Sequence, residues 1–408
     1  SAWVQLNADT DIAGMRTLAS VGVRWEDTET RSFATPIEDQ FTGEVAWIGG
    51  NEMYLLTADD YTVDPVAVGT GGYDYFLPSV DLAVDVIDDV VVRASYGRSL
   101  GRPLWNEMSA LSVSRGPLSP QSMFPGSPGG GATRGNINLK PILSDNIDLS
   151  VEWYYGDASY VSVGYYKKDV ENFIGSTVNP EELFDAPDPS QGSRRDAAVA
   201  ADPNNQWSTG AVREYIVNNT APGEPGVDFT KEPSWVLGLP GDPNVIFNVT
   251  EFVNQEDASF DGWEFAVQHN FWETGFGVVA NYTITDSDTS FDDLDIVNGQ
   301  FALTGLSDTA NFIAFYEKNG LQMRVSYNWR DEFLSATGDG TGANPTYVEA
   351  YSQVDLNASY DINDNFTVFI EGLNVTDEYT RTFGRNDLLT RGVYTGGPRY
   401  NIGARYTF

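Results

Sequence analysis

"LQMRVSYNWR", residues 321–330, alternates without a break: Leu321, Met323, Val325, Tyr327 and Trp329 on one side, Gln322, Arg324, Ser326, Asn328 and Arg330 on the other. Successive side chains of a strand point to opposite faces, so this stretch reads as a strand with one apolar and one polar face. Two faces of such contrast need two different solvents. "DNIDLSVEWYY" (145–155) sets Ile147, Leu149, Val151, Trp153 and Tyr155 against Asn146, Asp148, Ser150, Glu152 and Tyr154. "GVVANYTIT" (277–285) sets Val278, Ala280, Tyr282 and Ile284 against Asn281, Thr283 and Thr285. Residues 16–26, 90–98, 262–271 and 353–360 read alike, and helical periodicity is scarce. The closing "RYNIGARYTF" (399–408) continues the pattern to the last residue, where a chain normally frays into polar positions.

Composition narrows the function classes. Of 408 residues, 23 are Lys or Arg and 59 are Asp or Glu, a net charge of -36, so a nucleic-acid backbone would be repelled. The absence of cysteine removes disulfides, thiolate nucleophiles and thiolate zinc sites. The single His269 rules out a histidine cluster and follows Gln268 with no serine two residues away, so no barrel hydrolase is expected. By periodicity His269 falls on the apolar face near a short turn, where an interfacial role is expected. No cofactor and no enzymatic activity are expected.

No segment reaches the roughly 18 apolar residues of a membrane helix. A barrel strand needs only about 9 to 11 residues of alternating character, because lipid meets one side and water or protein the other. "SAWVQLNADT" lacks the marks of a secretory signal, so the start reads as a mature end or a truncation. Strands are expected near 1–7, 14–26, 74–86, 89–99, 144–155, 159–174, 247–271, 276–288, 301–317, 320–336, 348–361, 365–375 and 395–408. Polar turns such as "GDAS" and "EKNG" join some of them, at 86–89, 155–159, 271–276, 317–320 and 361–365. Long connections join the rest, at 27–72, 100–142 and 175–245, and near 289–299, 337–346 and 376–394. Short turns on one rim and long loops on the other describe a transmembrane antiparallel β-barrel with the long loops outside. Trp25, Tyr96, Trp153, Tyr155, Trp263, Phe271, Tyr327, Trp329, Tyr360, Tyr406 and Phe408 fall toward strand ends on the apolar face, as membrane-interface girdles do. The competing reading makes them core aromatics of a soluble all-β domain.

Several segments resemble the carboxyl-terminal barrel half of TonB-dependent outer-membrane receptors. They are "FLPSVDLAVDVIDDVVVRASYGRSLGRP" (76–103), "GNINLKPILSDNIDLSVEWYYGDASYVSVGYYKKDVENFI" (135–174), "GLSDTANFIAFYEKNGLQMRVSYNWRDEFL" (305–334), "FIEGLNVTDE" (369–378) and "YNIGARYTF" (400–408). Their flavour is similar to the proteobacterial branch linked to carbohydrate uptake. The resemblance implies a Gram-negative outer-membrane location and a barrel of about 22 strands, of which thirteen would be present. Residues 1–408 would then be the carboxyl-terminal part of one barrel domain, without its plug and TonB-engaging segment. It implies the TonB complex as partner through that absent part. It also implies the assembly machinery, through a terminal signal at Tyr400, Ile402, Ala404, Tyr406 and Phe408. Lipopolysaccharide, membrane lipid and a small-molecule or oligosaccharide substrate complete the expected partners.

Charged residues on the polar faces must face the lumen, because lipid would penalise each by several kcal/mol. Arg93, Glu152, Glu264, Arg324, Arg330, Asp355, Glu371 and Arg405, with Arg24 and Asp148, form either internal and plug-directed pairs or a polar track for a ligand. "DSDTSFDDLDI" (286–296) offers Asp286, Asp288, Asp292, Asp293 and Asp295 as a weak calcium candidate, with Phe291 where a turn glycine would be wanted. A solvated outer loop, bridged by divalent ions to lipopolysaccharide, is the competing account. In the loops, Trp105 with Asn106, Trp207 with Asn204 and Asn205, Trp235, and Tyr394 with Arg391 could stack on sugar faces and bond hydroxyls, or could pack the loops together. The expected function is TonB-driven import of a scarce nutrient, an oligosaccharide. A ferric siderophore or other metal chelate is the alternative, and a passive porin or structural barrel is the second.

Overall fold

The computed structural model describes residues 1–34, 41–57, 66–113, 117–202, 207–296, 300–338 and 344–408. Thirteen strands form one antiparallel wall. They are β1 Ala2–Ile12, β2 Met15–Ala34, β3 Val66–Ile87, β4 Val90–Gly101, β5 Ile142–Gly156, β6 Ser159–Glu171, β7 Ala258–Asn270, β8 Phe276–Ser287, β9 Thr309–Lys318, β10 Leu321–Arg330, β11 Tyr351–Asn363, β12 Phe366–Leu373 and β13 Arg399–Tyr406. Each pairs with its neighbours in chain order, and β1 and β13 are the two edges.

The apolar face of this wall points away from protein. Met323, Val325 and Tyr327 of β10 are exposed, as are Leu149, Val151 and Trp153 of β5 and Phe265 and Trp263 of β7. Register keeps the faces continuous: Val325 lies opposite Leu356, which lies opposite Gly372, which lies opposite Tyr400. A soluble sandwich would bury this band between two sheets. Here the band is the outer surface, and hydrocarbon is the solvent that makes its exposure favourable. No described helix is long and apolar enough to cross a membrane.

The buried core lies elsewhere, in the long connections. Val45, Trp47, Met53, Leu118, Phe247, Val249, Val212, Ile216, Val236 and Val245 form one cluster drawn from residues 41–57, 118–132 and 186–249. Two small sheets frame it. One orders Ile174–Pro187, Asn244–Asn254, Gly130–Arg134 and Ser112–Val113; the other orders Val227–Asp228, Trp235–Leu237, Phe41–Gly49 and Glu52–Thr57. Two short helices, α1 Gly192–Ala200 and α2 Thr209–Asn218, complete the cap. Helix α2 starts where the Ser208 hydroxyl accepts the Ala211 N–H, and it buries Val212 and Ile216, one turn apart on one face. A third small sheet gathers Phe333–Ala336, Thr346–Val348, Tyr379–Phe383 and Thr390–Thr395.

Expectations on extent need correction, among them the strand 320–336, which is Leu321–Arg330 of the wall followed by Phe333–Ala336 of the third small sheet. The connection 27–72 is in large part strand: β2 and β3 continue their ladder from Asp27 opposite Asp74 to Ala34 opposite Val66. Gly69 and Gly71 free that hairpin of side chains where Ile137 lies against it. The expected strand 247–271 is two strands, because β6 and β7 leave the wall together. Asn172 takes a positive φ of 60°, Gln255 N–H donates to Phe173 O at 2.6 Å, and the pair resumes in the cap as Ile174 opposite Asn254. The strand expected from 301 starts at Thr309.

Candidate functional site

The inner face of the wall is polar and largely self-bonded. Arg93 Nε donates to Glu152 Oε1 at 3.0 Å, and Tyr154 O–H donates to the other Glu152 oxygen at 2.7 Å. Arg330 donates to Ser307 Oγ at 2.8 Å and to Gly305 O, and its guanidinium lies 3.7 Å from the centre of the Phe333 ring. Asp355 accepts Gln353 Nε2 at 2.6 Å and the Asn374 N–H at 2.9 Å. Glu371 accepts amides of Asn357 and Asn401, each at 3.4 Å. Glu264 lies opposite Thr283, Arg324 opposite Asn357, and Arg405 opposite Thr367. Across β1 to β5 the inner face is lined by short side chains, among them Asn7, Ser20, Asp81, Ser95 and Asp148, and leaves a hollow of about 620 Å³.

Four members of this inner network escaped the sequence reading. Glu26, 5% exposed, sits between Arg24 and Arg102, the latter at 2.7 Å. Glu26 shares Arg24's face two residues on, so parity could have found it; its bond to Arg102, 76 residues away, could not be read. Arg98 Nε similarly donates to Asp145 at 2.9 Å. The Arg102 bond ties the base of the 102–141 connection to the wall, and the Arg98 bond joins β4 to β5.

The loop aromatics do not converge. Trp105 and Asn106 occupy the exposed turn Leu104–Met108, Trp105 being 83% exposed. Trp207 packs against the cap core beneath the Arg195 guanidinium, 5.0 Å from its ring centre. Trp235 lies in the cap sheet with Lys231 4.7 Å over its ring. Both rings have protein partners, so loop packing accounts for them. Arg391 and Tyr394 are exposed on Thr390–Thr395 of the third sheet. Asn204 and Asn205 lie outside the described residues.

The acidic stretch 286–296 is dispersed. Asp288 accepts the Ser259 N–H and hydroxyl at 2.9 and 3.0 Å, and Asp292 accepts the Leu294 N–H. Asp293 accepts the Tyr347 hydroxyl at 3.1 Å; burial and this carboxylate push the phenol up to about 12. Asp286 accepts the Ser287 N–H, and Asp295 N–H bonds to Asp292 O. Among the described residues, no three acidic or histidine side chains are grouped to hold a metal ion. His269 lies on the apolar outer face, its Nδ1 3.0 Å from the Tyr155 hydroxyl and its ring against Phe271 and Trp272.

The cap is pinned by a buried carboxylate. Asp188 Oδ1 accepts the Ser190 N–H at 2.8 Å and hydroxyl at 2.7 Å, and Oδ2 accepts Gln191 Nε2 at 2.7 Å. Ser190 Oγ and Gln191 Oε1 in turn accept the N–H groups of Gln121 and Gly126. The network joins two of the long connections. Burial holds the Asp188 carboxyl above its ordinary range, against the opposing hydrogen bonds.

Comparison with known proteins bears on this arrangement. No curated protein matches the sequence significantly. Among solved structures, a point variant of the ferric enterobactin receptor PfeA of Pseudomonas aeruginosa is similar, with TM-score 0.53, 14% identity, and 99% of this chain and 53% of that one covered. The siderophore receptor PirA of Acinetobacter baumannii gives TM-score 0.53 and 14% identity over 100% and 54% of the two chains. A double variant of the Serratia marcescens haemophore receptor HasR, in complex with its haemophore HasA and haem, gives 0.50 and 12% over 100% and 51%. The chain thus spans about half the length of the structures it matches, and at these identities the likeness is one of fold. The family model described as TonB dependent receptor-like, beta-barrel matches residues 2–375. A wall with its apolar face outward, its polar face inward and its long connections folded at one rim belongs to the β-barrel of the TonB-dependent receptors of the Gram-negative outer membrane, and this chain is a member of that family.

Proposed function

We propose that the chain forms wall and outer cap of an energy-coupled importer that captures a scarce nutrient at the outer rim and passes it inward. The observation that carries this reading is the division of burial: the wall keeps its apolar side exposed, while the protein's core lies in the loops. A folded cap can present a rigid binding surface, which loose loops cannot do without an ordering cost. The reading includes a remaining barrel segment, a plug and work with the TonB complex. Family membership favours this over a passive porin. The terminal residues Tyr400, Ile402, Ala404, Tyr406 and Phe408 would serve assembly: all five stand exposed on or beyond edge strand β13.

For the substrate we favour an oligosaccharide or another solute without strong negative charge. Of the candidate loop aromatics Trp105 and Tyr394 stand most open, and the chain's charge of -36 opposes a strongly anionic ligand. A ferric chelate is the second reading, because PfeA is a ferric enterobactin receptor and PirA a siderophore receptor. Uptake assays with the full-length receptor decide. Growth on oligosaccharides that depends on the receptor and on TonB, and falls with Trp105→Ala, supports the first reading. Receptor-dependent growth confined to iron-limited medium overturns it in favour of the second, and solute flux independent of TonB overturns both.

A further inference from the structure

We infer that the nutrient carries an apolar group, and that this group seats in a preformed hollow on the inner side of the β2–β3 hairpin. This rests on the uptake function proposed above. Ser32 and Ala34 of β2 have the same parity as Arg24 and Glu26, so they face the vestibule. Opposite Ser32 and Thr30 the partner strand carries Gly69 and Gly71. A side chain at Gly71 would place its Cβ 2.1 Å from Ile137 O, and one at Gly69 would press Ile137 at 3.2 Å. The glycines therefore let residues around Ile137 lie against the hairpin. Gly135, whose Cβ would meet the Ser109 backbone at 2.3 Å, locks that segment to Met108–Leu111.

These three elements and Leu183–Phe184 enclose about 420 Å³. Val68, Leu111, Ile137, Leu183 and Phe184 supply most of its apolar lining. The size lies in the ordinary range for small-molecule sites, and well above the roughly 150 Å³ that admits benzene, so an aromatic ring or short acyl chain with substituents fits. Among the described residues that line it, the one charged group is Arg134, held by both Glu181 oxygens at 3.2 and 2.8 Å. A guanidinium so engaged does not call for an anion. The occupant is an uncharged apolar group, and the hollow is too small for a protein segment of any length.

The test measures binding of 4-fluorobenzyl alcohol to the full-length receptor in lipid nanodiscs by fluorine NMR line broadening, with empty nanodiscs subtracted. Ala110→Trp fills the hollow and should weaken binding at least tenfold. Leu183→Ala enlarges it and should shift preference several-fold toward a fluorinated naphthyl alcohol; it retains a readable outcome should Ala110→Trp fail to fold. Equal binding by wild type and a folded Ala110→Trp, or no binding above empty nanodiscs, overturns the inference. Binding without uptake of any solute would leave the hollow standing and remove the transport reading; uptake without binding would do the reverse.

Discussion

A single arginine placed on either side of β10 should have opposite consequences. Val325 is the fifth of ten residues in the strand and lies opposite Leu356 on the exposed apolar face. With about 3.3 Å per residue and a tilt near 45°, it sits roughly 10 Å from either end of the strand measured along the membrane normal. That is mid-depth in an apolar band about 25 Å tall, where arginine costs about 2–4 kcal/mol. Ser326, its neighbour, lies opposite Asp355 on the inner face, and an arginine there gains a carboxylate neighbour. Val325→Arg should therefore lower the folded-to-unfolded ratio between about 30- and 1,000-fold, while Ser326→Arg changes it by less than tenfold. Denaturant unfolding of the full-length receptor in lipid vesicles measures both. Val325→Arg tolerated as well as Ser326→Arg, or better, would refute the argument that hydrocarbon meets the odd-numbered face.

Trp47, fully buried in the cap, should cost about 3–5 kcal/mol of cap stability when replaced by alanine; limited proteolysis should then cut the cap between residues 41 and 250 while the wall survives. Arg93→Ala should remove the charged donor to Glu152, leave the Tyr154 hydroxyl on it and lower the wall's thermal midpoint by a few degrees, whereas Arg93→Ala with Glu152→Gln should recover part of the loss. The Asp188 carboxyl holds its proton more tightly in the folded cap than its ordinary value of 3.8. The folded state thus gains stability as pH falls from neutrality toward that value, and Asp188→Asn should flatten this rise when cap protease resistance is followed against pH. Arg134 acts in the opposite sense on Glu181, holding its carboxyl below 4.5, so that pair's contribution is lost only as pH falls below the ordinary glutamate range.

The wall was legible because its signal is local. The alternation of Leu321 to Arg330 is set by the pleat and the two solvents, and no distant residue is needed to read it. All thirteen wall strands were expected, and the structure forms each of them. Extent was harder: nothing in residues 247–271 marks the departure at Gln255, which depends on Phe173 across the hairpin. The cap was illegible for the same reason. Trp47, Phe247 and Val236 form one core only because three connections fold together, and each connection alone reads as polar loop. Ligand stacking and loop packing at Trp207 and Trp235 look alike in the sequence, because the cations over them, Arg195 and Lys231, carry no spacing signal that distinguishes packing from binding. The hollow behind Gly69 and Gly71 was likewise hidden, since the glycines announce a close approach without naming Ile137 as what approaches.

The chain has no cysteine, so single cysteines at residues 322 to 328 can each carry a nitroxide label without background. Power-saturation EPR on the labelled full-length receptor in lipid bilayers compares collision with dissolved oxygen, which concentrates in hydrocarbon, and with a water-soluble nickel complex. Labels at 323, 325 and 327 should favour oxygen and those at 322, 324, 326 and 328 should not, giving a period of two across the strand. Uniform accessibility, or oxygen preference at the even positions, would contradict the assignment of the two faces to lipid and lumen.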